Sequence, residues 1–230
     1  SIARNADWVL PIHAGPEVGV ASTKAFLGQL LVLFILSLKL AKVRKDIKDN
    51  TYQDYIKNLK KIPEAIKESL ETENNIQLMA KEFLEAKGSM FLGRGSSFPI
   101  ALEGALKLKE LSYLHAEGYP AGEMKHGPLA LIEEGLPVII IAPKDKYFEK
   151  TLSNTQEVIA RGGKIFFITD NKKYVANDNI RFGLRVPFLN ELLSPILLTG
   201  PLQLLAYHVA LLKNCDIDKP RNLAKSVTVE

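Results

Sequence analysis

The chain has 230 residues, 47% hydrophobic and 24% charged, with a net charge of +4, a globular rather than disordered composition that admits one large or two small domains. Acids interrupt the basic residues, as in Lys42-Val43-Arg44-Lys45-Asp46-Ile47-Lys48-Asp49, so no stripe suited to nucleic acid forms. The single cysteine, Cys215, excludes an internal disulfide and fits a reducing cytoplasm, and the four histidines lack metal-ligand spacing, so neither metal nor cofactor is expected.

Ser1-Ile2-Ala3-Arg4-Asn5-Ala6-Asp7 has neither a start methionine nor a signal-peptide pattern and reads as a chain entered part-way. Residues 6–13 are predicted as a short strand running into a Gly-Pro turn. Ser22 or Thr23 is placed to cap a helix over 24–43. Its nearly all-round apolar character predicts burial between a sheet and a partner. The apolar runs 26–38 and 192–212 are read as buried helices rather than membrane spans. The first is too short, and the second carries Pro195, Gly200, Pro201, Gln203 and His208. Between them, Tyr55, Ile56, Leu59 and Ile62, then Ile76, Leu78, Met79 and Phe83, recur at helical spacing. They predict amphipathic helices over 51–69 and 73–86, the first opening a second domain.

From Gly88 the rhythm changes to strand, glycine turn, helix. Residues 89–92 are a strand, 93–97 a turn, and Pro99 sits in the first helical turn, where it has no N–H to lose. Val138 to Ala142 is a continuous apolar strand, as in a parallel sheet covered on both faces. A helix over 150–161 stops at Gly162-Gly163, 164–169 is a second buried strand and 180–186 a weaker third. Alternating strands and helices predict an α/β fold with a doubly wound parallel sheet.

Gly93-Arg94-Gly95-Ser96-Ser97 offers backbone N–H groups to an anion or is simply a tight turn, since it matches no nucleotide fingerprint. Glu103, Lys107 and Glu110 share one helical face. On a solvated face they would be an ordinary pair worth ~0.3 kcal/mol. Leu102, Ala105, Leu106, Leu108 and Leu111 leave little room for water, however, and a semi-buried carboxylate beside a lysine is suited to proton transfer. His126 lies in a loop, between Glu123-Met124-Lys125 and Gly127-Pro128. At the far end Pro220 breaks an apolar helix and an extended tail follows with one interior lysine, Lys225. Such a tail is explained by lying across a site and delivering that amine; taken alone, Lys225 is an unassigned charge.

Four stretches together resemble the sugar-isomerase half of the glutamine–fructose-6-phosphate aminotransferase (isomerising) family, the glucosamine-6-phosphate synthases. They are Gly19 to Phe26, Ala101 to Glu110, Lys125 to Ala130 and the tail from Pro220 to Glu230. The resemblance implies sugar isomerase (SIS) subdomains. Residues 1–46 are the last part of a truncated first one, 47–214 are the second, and 215–230 are a tail over the active site. It implies a homodimer acting on fructose 6-phosphate to give glucosamine 6-phosphate, with ammonia from glutamine. Glu110 would move a proton between C1 and C2, His126 of a neighbouring subunit would open the ring, and Lys225 would form an imine. Lys107 would support the catalysis in a charged pair with Glu103, while Val20, Ser22 and the Ala224 backbone line the sugar. A stand-alone sugar-phosphate isomerase and a non-catalytic sugar-phosphate-binding regulatory module are the alternatives. No membrane or nucleic-acid partner is expected.

Two parts of the family pattern are missing from these residues. They are the glutaminase domain with its leading cysteine nucleophile and the Ser-rich loop that grips the sugar phosphate, which Pro143-Lys144-Asp145 does not replace. Titration of residues 1–230 with fructose 6-phosphate is therefore expected to show weak or no binding; saturation at low concentration would refute the expectation.

Overall fold

In the computed structural model, residues 2–176 and 178–225 are described. The apolar runs become the middle of a five-stranded parallel sheet: β1 (Gly88–Gly93), β2 (His115–Pro120), β3 (Pro137–Ile141), β4 (Lys164–Thr169) and β5 (Phe182–Arg185). Their order is β2-β1-β3-β4-β5, so the chain reverses direction across the sheet between β1 and β3 and helices fall on both faces. The helices are α1 (Ile2–Asn5), α2 (Lys24–Val43), α3 (Asp49–Leu59), α4 (Ile62–Leu70), α5 (Glu73–Lys81), α6 (Ser97–Ser112), α7 (Phe148–Ile159) and α8 (Ser194–Leu212).

Successive strand residues point to opposite faces, and two cores result. Phe91, Ile139, Phe166 and Leu184 meet α5, α6 and α8 on one side through Met79, Leu108, Leu202 and Val209. Met90, Leu92, Ile140 and Phe167 meet α7 and the 3-10 turn Ala121–His126 on the other, through Val158 and Met124. α6 is clamped between sheet and α8. At Gly104 an added Cβ would stand 2.9 Å from Phe91 Cε1 and 3.0 Å from Leu202 Cδ1, so this close crossing requires glycine.

Several expectations fail for identifiable reasons. Residues 6–13 form no strand, because no described strand runs beside them to complete a ladder, and Trp8 is 91% exposed. α2 is not enclosed: only Leu38 is buried, while Leu33, Ile35, Leu40 and Val43 face outward. One stripe alone, Leu27, Leu30, Leu31 and Phe34, docks against Ile62, Leu193 and Ile196. The helix expected over 51–69 breaks at Lys60-Lys61 into α3 and α4, with Pro63 in the first turn of α4. The one over 73–86 ends at Lys81. Strand β2 has no counterpart in the sequence reading, since His-Ala-Glu-Gly-Tyr-Pro has no apolar alternation; at a sheet edge, glycine and proline are tolerated. α2 and α8 are both long and apolar enough to cross a bilayer by length and composition, and α8 is mostly enclosed in the core.

Replacing Gly104 with valine is expected to overpack the α6–α8 crossing and destabilise the chain by about 1–3 kcal/mol, read as a lower urea midpoint with unchanged slope.

Candidate active site

α6 buries ten of its residues, and two of those carry charge. Lys107 is 3% exposed, and its Nζ donates to Glu110 Oε2 at 2.6 Å. Glu103 Oε1 lies 3.7 Å from the same amine, too far for a hydrogen bond, and has no partner among the described groups. Burial pushes the Glu103 carboxyl up to about 7; the Glu110 charge adds to the rise and Lys107 opposes it. One buried ammonium thus serves two carboxylates, and the less well paired one titrates near neutrality. Glu110, in the last turn, opens onto a cleft of about 340 Å³ shared with Tyr113, Arg221 and Leu223.

The tail reaches that cleft because three contacts hold it. Tyr113 ends α6 in the left-handed conformation, φ +59°. Its hydroxyl accepts the Arg221 N–H at 2.8 Å while the Arg221 guanidinium lies over its ring, 4.2 Å from the centroid. Upstream, the Val20 N–H donates to the Asp218 carbonyl at 2.9 Å. Downstream, Lys225 Nζ donates to Glu17 Oε2 at 2.6 Å and to the Gly19 carbonyl at 3.0 Å. Residues 226–230, the end of the tail read from the sequence, lie outside the described residues.

Glu17 was not singled out by the sequence. It replaces the expected cap: neither Ser22 nor Thr23 caps α2 with its side chain, and Glu17 Oε1 accepts the N–H groups of Thr23 at 2.9 Å and Ala25 at 3.2 Å. Partial burial pushes its carboxyl up, but the Lys225 hydrogen bond and these two amides outweigh it and hold it down at about 2. Its position six residues before the cap matches no capping pattern, so no local signal marks it. Beside it lies a second cleft of about 360 Å³, lined among others by Gly19, Lys24, Leu111 and Asp218. Because Leu111 follows Glu110 directly, both clefts border the same end of α6.

The structure therefore gathers Glu103, Lys107 and Glu110 on one helix face. It lays the tail with Ala224 and Lys225 along that end, against the loop that holds Val20 and Ser22. His126 is elsewhere. Its 3-10 turn packs Ala121 and Met124 into the α7 core, across the sheet from α6, and its side chain is 76% exposed with Glu123 Oε2 at 3.8 Å. The Gly93–Ser97 segment is built as a turn. The Ser97 and Phe98 N–H groups are spent on the Arg94 and Gly95 carbonyls, and the Tyr147 ring occupies the space above Gly95.

Two variants test this geometry. Tyr113→Ala removes both the hydroxyl acceptor and the ring under Arg221, so trypsin is expected to cleave after Arg221 several-fold faster; Tyr113→Phe, which keeps the ring, should fall between. For Glu103, the raised folded-state value means that the folded chain holds the proton more tightly between about pH 4.5 and 7, so stability drops as pH rises through that window. Glu103→Gln is then expected to stabilise the chain at pH 8 by up to about 3 kcal/mol, read as a higher urea midpoint. The gain should fade below pH 4.5.

Residues 82–213 match the SIS domain family model. Along its whole length the chain is 52% identical to the glutamine–fructose-6-phosphate aminotransferase (isomerizing) of Bartonella henselae and 50% identical to that of Salmonella typhimurium. It spans only 38% of the length of these relatives. Among solved structures, the C-terminal domain of glucosamine-fructose-6-phosphate aminotransferase from Francisella tularensis superposes with a TM-score of 0.86 at 44% identity, covering 89% of this chain and 58% of that one. A glucosamine-6-phosphate deaminase from Thermotoga maritima gives 0.68 at 26% identity, covering 92% and 59%. With its five-stranded parallel sheet and that match over more than half of its residues, the chain belongs to the SIS domain family.

Proposed function

We propose that the chain is the sugar-isomerising part of a glutamine–fructose-6-phosphate aminotransferase. The observation that carries this reading is Glu110, held at 2.6 Å by buried Lys107 and facing a cleft that a lysine-bearing tail also lines. A regulatory module needs neither a proton-transfer pair nor a tail that carries an amine to that end of the helix. The similarity to whole-length aminotransferases supports the same reading.

In the proposed reaction the Lys225 amine attacks C2 of open-chain fructose 6-phosphate and expels water, leaving an imine. Ammonia from glutamine displaces the lysine and leaves a C2 imine, whose C1 proton is acidified by the adjacent C=N bond. Glu110 takes that proton from C1 and returns it to C2 through an enolamine, while the C1 hydroxyl proton passes to the nitrogen, giving the 2-amino aldose, glucosamine 6-phosphate. Lys107 holds Glu110 in place at 2.6 Å, and Glu103 sits one turn behind the pair. Val20, Ser22 and the Ala224 backbone line the sugar. His126 opens the sugar ring from a second subunit of a homodimer, consistent with its position across the sheet from Glu110. The setting is the cytoplasm.

Joining the chain to the upstream region of the Bartonella henselae relative supplies the remaining length. In that protein Lys225→Arg and Glu110→Gln are each expected to lower glucosamine 6-phosphate formation at least about 100-fold. Unchanged turnover in either variant overturns the assignment.

A further inference from the structure

We propose that Glu17 is a positioning residue for Lys225: its carboxylate parks the tail amine at the rim of the cleft beside the start of α2 until a sugar carbonyl competes for it. This deepens the reading above and rests on Lys225 being the imine-forming group.

The two oxygens of Glu17 do different work. Oε1 is committed to the Thr23 and Ala25 N–H groups at the start of α2, so the carboxylate cannot swing away without uncapping the helix. Oε2 is thereby held at a fixed point, and Lys225 Nζ meets it at 2.6 Å, steadied by the Gly19 carbonyl at 3.0 Å. Glu17 is only 12% exposed against 43% for Lys225, which makes the carboxylate the fixed partner and the lysine the movable one. The other charged groups on this cleft are Lys24 and Asp218. Lys24 Nζ is turned to the Pro16 carbonyl at 2.7 Å, and the Asp218 carboxylate lies over Gly19, while the Lys225 amine is hydrogen-bonded to Glu17. A carboxylate held down at about 2 is a weak proton acceptor. It can steer the amine and occupy it but does not prepare it for attack, so the pair has to open before an imine forms.

Glu17→Gln isolates the contact, because an amide oxygen still accepts from Thr23 and Ala25 while the charge facing Lys225 is lost. Acetic anhydride in trace amount at pH 8, followed by mass spectrometry of the tail peptide, gives the labelling rate of Lys225 relative to exposed Lys219. The wild-type ratio is expected to be low, and to rise roughly two- to fivefold in Glu17→Gln, the range an ion pair of this exposure supports. Glu17→Asp, which keeps the charge, should return part of the protection. Equal ratios in wild type and Glu17→Gln would show that Glu17 only caps α2. Buried Lys107 monitors folding: should Glu17→Gln expose it to labelling, the wild-type ratio decides by itself, and a Lys225 that labels as fast as Lys219 overturns the proposal. No sugar or turnover enters this measurement, so its failure leaves the role of Lys225 in catalysis to be judged by the chimera.

Discussion

Everything at the candidate site follows from the burial of one ammonium. α6 has to fill the space between the sheet and α8, and at the Gly104 crossing there is no slack. Lys107 therefore sits inside, where an unpaired charge is prohibitive and a paired one still gives up its hydration. Glu110 provides the pair. Glu103, one turn earlier, is left with an unpartnered oxygen and a carboxyl lifted to about 7. Burial thus lifts the carboxyl that the lysine leaves unpaired, the kind of shift on which acid–base chemistry draws.

The second element is the returning tail. Pro220 does not break the apolar helix as expected, because α8 has already ended at Leu212, eight residues earlier; Tyr113, placed left-handed at the end of α6, offers both a hydroxyl and a ring to Arg221. A guanidinium over an aromatic face adds about 0.5–1 kcal/mol at an exposed site, modest by itself. Three such points, at Asp218, Arg221 and Lys225, fix a segment that has no secondary structure of its own.

Much of the architecture was legible. β1, β3 and β4 were readable because strands covered on both faces must be apolar throughout, and α6 because Pro99 and its glycines mark its start. β2 was hidden because an edge strand pays little for polar residues, glycine or proline. Residues 6–13 had strand composition but no neighbour to pair with. For α2, apolar character predicted a covered helix, yet composition says only that a surface favours cover and not that this chain supplies it. At the site, Glu103, Lys107 and Glu110 followed from helical spacing. Glu17 did not, since its role arises from a contact with a residue 208 positions away that no local pattern encodes.

That separation bears on how the molecule is made. The sheet and its helices are assembled mostly from neighbouring crossovers, whereas the Glu17–Lys225 contact joins residues 208 positions apart. Closing so long a loop is slow and gains little until the intervening scaffold holds its ends near one another. The scaffold is therefore in place before this contact closes, and the pair rests on a finished framework rather than helping to build it.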